Sequence, residues 1–205
     1  MPPLLIATTN LGKLAELKGL LASLGVELTD LRHLGLDLSV AEDEPDYDAI
    51  ARKKATLYAA ASGLWTIADD TGLEVDALGG APGVRTARLS GDDPSRRAEL
   101  LRRLAGHSRP WTARFRCSVA LAAPAGETII GCGACDGEII PQERGHRGFG
   151  YDPIFLVGGT GLTMAELPAA QKNRISHRAR AVHDLLAHLG QGALPGAPLS
   201  PLTLG

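Results

Sequence analysis

The sequence predicts an α/β fold with a mixed central β-sheet flanked by helices, in one domain over residues 1–189. Three observations lead there. Strand-like and helix-like segments alternate through the first half of the chain, the pattern of strands joined by crossover helices. Two long strand-like runs, residues 111–123 and 127–140, are separated only by Pro124-Ala125-Gly126, which predicts a hairpin added to that sheet. Finally, 205 residues of which 44% are hydrophobic are enough to bury a core of one compact domain.

Each element has its own signal. Residues 4–9 form a short apolar strand, and Leu14, Leu17, Leu21 and Leu24 then recur at helical spacing until Gly25. A second strand over 26–31 leads to the acidic stretch Glu42-Asp43-Glu44-Pro45-Asp46 and a helix over 47–62, ended by Gly63. Residues 65–69 read as a buried strand whose end carries Asp69-Asp70; Thr71-Gly72 then leads to Leu73-Glu74-Val75 and a Gly/Pro loop at 79–83. Asp93-Pro94 opens a helix reaching about Ala105, with Asp93 as its expected N-cap. After the hairpin come a loop over 145–152, a strand over 154–157, Thr163-x-x-Glu166 as an expected capping box, and a helix over 177–189 with Ser176 as N-cap. Residues 190–205 are Gly/Pro-rich and expected to be a disordered tail.

Composition narrows the function classes. A net charge of −2 argues against a surface dedicated to a long nucleic acid, while a small anionic ligand remains compatible. The first residues lack a secretory pattern and no apolar run is long enough for a bilayer, so a soluble, cytoplasmic protein with no membrane partner is expected. Cys117, Cys132 and Cys135 are then expected to stay reduced. The C-x-x-C at Cys132 and Cys135 falls in a strand, where positions three apart point to opposite faces, which disfavours a shared metal or a redox pair.

Four segments carry chemistry. Thr8-Thr9-Asn10-Leu11-Gly12-Lys13 sits between a strand and a helix N-terminus, a position that favours an anion; an ordinary turn capped by Asn10 has the same look. It lacks the glycines of a P-loop. Asp69-Asp70, with Glu42 upstream, suits a hard divalent cation held by one or two carboxylates plus substrate phosphates, though an Asp pair can also brace a turn. Gly148-Phe149-Gly150-Tyr151-Asp152-Pro153 puts two aromatics into a glycine-flanked loop in a chain only 4% aromatic, either to pack on the core or to stack on a flat base. Lys172-Asn173-Arg174-Ile175-Ser176-His177-Arg178 runs into a helix N-terminus, where positive charge opposes the dipole and calls for an anionic or carbonyl partner.

In this order, and with the segments Ala68-Asp69-Asp70-Thr71-Gly72-Leu73-Glu74-Val75-Asp76-Ala77-Leu78 and Gly79-Gly80-Ala81-Pro82-Gly83-Val84, the chain from Ile6 to about Leu189 resembles the Ham1-like family of inosine triphosphate pyrophosphatases. The resemblance implies an elongated two-lobed fold with a nucleotide groove between the lobes, a homodimer, and Mg²⁺-dependent hydrolysis of ITP, dITP and XTP to monophosphate and pyrophosphate. It also implies roles. Thr8, Thr9, Asn10, Lys13 and Lys54 would hold phosphates; Glu42 and Asp70 would bind Mg²⁺, Asp70 also activating water, with Thr71 beside them. Phe149, Gly150, Tyr151 and Asp152 would enclose base and sugar, and Lys172, His177 and Arg178 would meet the base edge and phosphates. The chain departs from the family pattern at Ala49-Ile50, at Thr71 in place of serine, and at Ala179 in place of glycine. The alternatives are a nucleotide-binding regulator on the same fold, which would be expected to lack the acids, and a phosphate-releasing P-loop NTPase.

Overall fold

The computed structural model describes residues 2–84 and 91–189; the expected tail lies outside the described residues. The chain opens with strand β1 (Leu4–Ile6), helix α1 (Leu11–Leu21), β2 (Leu28–Asp30), α2 (Tyr47–Ser62) and β3 (Thr66–Val75). β1 pairs in parallel with both β2 and β3, so two crossover units start the sheet. There follow β4 (Pro82–Gly83), α3 (Asp93–Leu104), the hairpin β5 (Trp111–Ala122) and β6 (Thr128–Ile139), β7 (Phe155–Val157), α4 (Ala169–Ile175) and α5 (His177–Leu189). The strand order is β2-β1-β3-β5-β6-β7, with β4 on β3, and every pairing from β3 onward is antiparallel. The mixed sheet and its hairpin are as the sequence predicts. Among the described residues no helix is long and apolar enough to cross a membrane.

Helices cover both faces. Leu17 and Leu21 of α1 and Ala181, Val182 and Leu185 of α5 pack with Ile67, Cys117, Val119 and Leu121 on one face. Ala51, Ala55 and Ala59 of α2 pack with Ala68, Ala120 and Ala122 on the other. Farther along the same long strands a third core gathers Leu73, Val75, Trp111, Phe115, Tyr151, Phe155 and, from α3, Leu100 and Leu104. The molecule thus has two apolar ends sharing β3, β5 and β6, and the polar residues Asp69, Asp70 and Thr71 fall between them.

Four expectations are corrected. Asp69-Asp70 do not end a strand: β3 continues to Val75, paired along its whole length with β5. The other edge of β3 meets β1 only at Thr66 and Ile67 and β4 only at Leu73 and Glu74, so residues 68–72 have no strand partner there among the described residues. The N-cap of α3 is Asp92, whose side chain accepts from Ser95 N, and Asp93 is already helical. Glu166 does accept the Thr163 N–H, at 2.7 Å, but in a turn rather than at a helix start. Lastly, Lys172 and Arg174 lie in the last turn of the short helix α4, where positive charge favours the dipole; only His177 and Arg178 begin α5, which Ser176 Oγ caps through Ala179 N. The two cysteines of the C-x-x-C do point apart, Cys132 exposed and Cys135 buried, and all three are free.

Candidate active site

The unpaired stretch of β3 opens into a cleft of about 540 Å³. Its lining includes Thr8, Thr9, Asn10, Lys13, Glu42, Lys54, Asp69, Asp70, Thr71, Phe149, Gly150, Tyr151, Asp152, Lys172, His177 and Arg178. Every residue to which the family resemblance gives a role therefore lies at one place, drawn from segments up to 170 residues apart by subtraction of Thr8 from Arg178, whereas Asn173 and Arg174 of the basic segment do not line the cleft.

β-strand alternation sends the two neighbouring aspartates to opposite faces of the sheet, and each finds a different environment. Asp69, on the α1/α5 face, is fully buried. Its Oδ2 accepts from Arg178 Nε and Nη2 at 3.1 and 3.0 Å and from Thr71 Oγ1 at 3.0 Å, and Lys13 Nζ stands 3.1 Å away. Burial alone would raise its pKa, but the charges of Lys13 and Arg178 hold it well below the ordinary carboxylate range. Asp70, on the α2 face, shows the reverse outcome. Burial pushes its pKa up, and Lys54, 3.2 Å from Oδ1, offsets this only in part. Its Oδ2 is buried without a hydrogen-bond partner.

Lys54 of α2 also pairs with Glu42, so one ammonium stands between the two carboxylates expected to hold a cation. Burial opposes its charge, yet Asp70 and Glu42 keep its pKa raised. At the mouth, α1 presents its N-terminus: Asn10 Oδ1 accepts Lys13 N at 3.0 Å and Thr8 Oγ1 accepts Asn10 N at 3.2 Å. The capping reading of Asn10 is thus realised within a segment that also faces the cleft.

Across the floor runs a chain of buried ions that sequence reading did not anticipate. Glu16 of α1 pairs with Arg178 and, at 2.7 Å, with Lys172, which reaches Asp152 at 2.6 Å. Asp152 Oδ2 in turn accepts the Phe149 N–H at 3.0 Å. Nothing local marks Glu16: it is one acid within a leucine-patterned helix, and only the packing of α4 and α5 against α1 reveals it.

The aromatic loop divides its two rings. Phe149 lies in the cleft, 5.3 and 5.8 Å from the cationic groups of Lys172 and Arg178 and so close to Gly12 that a β-carbon there would come within 2.3 Å of the ring. Tyr151 instead joins the core beside Leu100 and Leu104, with burial raising its pKa to about 12. Tyr151 thus packs into the core while still lining the cleft, and Phe149 stands in the cleft against Gly12. His177 is buried and stacks on Phe115 at 4.7 Å between centroids; burial, with Arg178 and Lys172 nearby, keeps it neutral. Its Nδ1 has no hydrogen-bond partner. Arg178 gives most of its donors to Asp69, Glu16 and Thr71.

With this geometry in place, the sequence profile of the Ham1 family matches residues 4–188. The chain belongs to the Ham1 family. Among its relatives are proteins named dITP/XTP pyrophosphatase from Desulfotalea psychrophila, 41% identical over 93% of this chain and 86% of theirs, and Geobacter sulfurreducens, 44% identical over 93% and 98%. Solved Ham1-family structures agree: the HAM1 protein from Coxiella burnetii superposes with a TM-score of 0.81 at 35% identity, covering 92% of this chain and 98% of its own. The nucleoside-triphosphatase / dITP/XTP pyrophosphatase from Mycobacterium abscessus does so with a TM-score of 0.71 at 40% identity, covering 90% and 99%.

Proposed function

We propose that this Ham1-family chain hydrolyses abnormal purine nucleoside triphosphates, dITP, XTP and ITP, to the nucleoside monophosphate and pyrophosphate. The observation that carries the reading is Asp70, a buried carboxylate of raised pKa whose Oδ2 has no hydrogen-bond partner, in a cleft that it shares with the start of α1 and the Glu42-Lys54 pair. The names of the relatives support the same activity.

The metal in this reading is Mg²⁺, held by Asp70 and Glu42. Among the described residues no three His, Cys, Asp or Glu side chains converge as a ready-made cage. Two carboxylates suffice for a cation that completes its shell with waters and substrate phosphates, so the residues present fit it. When bound, Mg²⁺ supplies positive charge to the phosphate chain. The protein's own groups do the rest. Lys13 and Lys54 oppose the charge of the phosphates, and the backbone N–H groups at the start of α1 add donors. Asp70 accepts a proton from the water that attacks the α-phosphorus; the bond to the bridging oxygen breaks and pyrophosphate departs. Phe149 covers the base, and Gly150 and Asp152 line the sugar side, while Tyr151 supports them from the core.

Base choice follows from the same groups. In this reading Lys172, the neutral His177 and Arg178 meet the edge of a 6-oxo purine and the phosphates, with Arg178 held rigid by its ion pairs to Asp69 and Glu16. A 6-amino group would set donor against donor and leave buried groups unpaired, a mismatch that discriminates by roughly 10⁴–10⁵-fold in sites of this kind. The reading includes the homodimer and cytoplasmic location that the family resemblance implies; a dimer elutes at twice the monomer mass in size-exclusion chromatography with light scattering.

A substrate panel tests the proposal. With Mg²⁺, pyrophosphate is expected from dITP, XTP and ITP and at most slow release from ATP. Equal turnover of ATP and ITP would sink the proposed selectivity, and orthophosphate as the product would revive the P-loop-type alternative.

A further inference from the structure

Both backbone polar groups of Gly150 are held by α3, the helix that brings Asp93 and Arg96 to the rim of the cleft. The Gly150 N–H donates to Asp93 Oδ2 at 2.7 Å, and its carbonyl accepts from Arg97 Nη1 at 2.9 Å. Asp93 and Arg97 are one turn apart on α3, so their side chains share a face. Arg97 is itself fixed, since Nε and Nη2 make a fork to the two oxygens of Glu143 at 2.7 and 3.0 Å, and its side chain is only 11% exposed. Asp93 is steadied by Arg96 through its other oxygen at 2.8 Å. Gly150 needs such a hold. Its φ of +61° is a conformation glycine adopts easily but has no side chain to lock, and it lies between Phe149 in the cleft and Tyr151 in the core.

We propose that Arg97, seated on Glu143 and assisted by Asp93, is a positioning residue that clamps the loop 149–152 in the shape that receives the nucleoside. The clamp rests on the nucleotide-hydrolase reading above and assigns the base-and-sugar wall a control point on α3, outside the phosphate-binding half of the cleft. The loop has a second anchor, Asp152 on Lys172 and on the Phe149 N–H, so losing the clamp loosens the loop without detaching it. The consequence falls on nucleoside binding and spares the phosphate site, whose residues come from α1, α2 and β3.

Steady-state kinetics on dITP, with tripolyphosphate as a base-free competitive inhibitor, separate these halves. Arg97→Ala is expected to raise KM for dITP about tenfold, the size of one charge-assisted hydrogen bond, with kcat within about twofold. The inhibition constant of tripolyphosphate should stay at the wild-type value. Arg97→Lys, which keeps one donor but not the fork to Glu143, should recover part of the KM. Arg102→Ala, on the same helix but paired outward with Glu99, should match wild type. An unmoved KM in Arg97→Ala overturns the clamp, as does a tripolyphosphate constant that weakens as much as KM, because a general folding defect would do that. Absence of dITP turnover in the wild type overturns the hydrolase reading and the clamp with it.

Discussion

Two adjacent carboxylates of the same type end with opposite properties because a strand shows them opposite faces. Asp69 is surrounded by Arg178, Lys13 and Thr71 and is locked as an anion, whereas Asp70, among the described residues, has Lys54 alone within ion-pair distance, too little to offset its burial. Asp69→Asn should therefore act on the fold. Removing one partner of a buried ion pair leaves Arg178 uncompensated and typically costs about 3–5 kcal/mol, readable as a lowered urea midpoint at neutral pH. The sign with pH follows from the depressed folded pKa of Asp69. Its stabilisation is complete above the unfolded value of about 3.9 and is lost as pH falls through the folded one, so the gap between Asp69→Asn and wild type should narrow in acid. Asp70→Asn should instead leave the midpoint within about 1 kcal/mol and lower kcat by roughly 10²–10⁴-fold. Asp70 must be ionised both to hold Mg²⁺ and to take a proton, so activity should fall on the acid side of the pH profile, and the residual activity of Asp70→Asn should lack that acid limb.

At the scale of elements, α5 carries His177 and Arg178 to the cleft only because it lies in backbone contact with β6. A β-carbon at Gly133 would stand 2.2 Å from the His177 carbonyl oxygen and 2.4 Å from Ala181 N. Gly133→Ala is therefore expected to push α5 off the sheet, costing about 1–3 kcal/mol in urea unfolding and weakening dITP binding, while a change confined to stability would show that the helix can shift without moving the site. Such contacts also mark the limit of what the sequence tells. The alternation of strands and helices, the hairpin at Pro124-Ala125-Gly126 and the four chemical segments are local patterns, and the structure returns them at nearly the same residues. What escapes is non-local. Continuous pairing with β5 keeps β3 extended through Asp69-Asp70, where local chemistry suggests a turn. The helix α4 is seven residues long, follows Pro168 and has no side-chain cap, so it leaves no periodic signal. Glu16 acquires its role from Arg178 and Lys172, more than 150 residues away by subtraction. The separate destinations of Phe149 and Tyr151 depend on α3, which lies far from them in sequence.

The described residues form three apolar cores at two ends of three shared strands, with the ionic cleft where the two ends part. Because β3, β5 and β6 run through both ends, the cores are expected to unfold together. The two tryptophans report on them separately, Trp111 in one core and Trp65 against another, so Trp65→Phe and Trp111→Phe should give coincident urea midpoints once each is corrected for its own destabilisation. Separated transitions would mean that the lobes are independent units and that the cleft is a hinge between them. The same architecture gives the two faces of β3 different carboxylates: Asp69 is tied to Arg178 and Lys13 on one, while Asp70 on the other stands beside Lys54 and, through it, Glu42, and it is there that water is activated in the proposed reaction. Hydrolysis of dITP in ¹⁸O-labelled water tests that claim most directly. Attack at the α-phosphorus assisted by Asp70 predicts one labelled oxygen in the nucleoside monophosphate and none in pyrophosphate; label in pyrophosphate or in orthophosphate would contradict it.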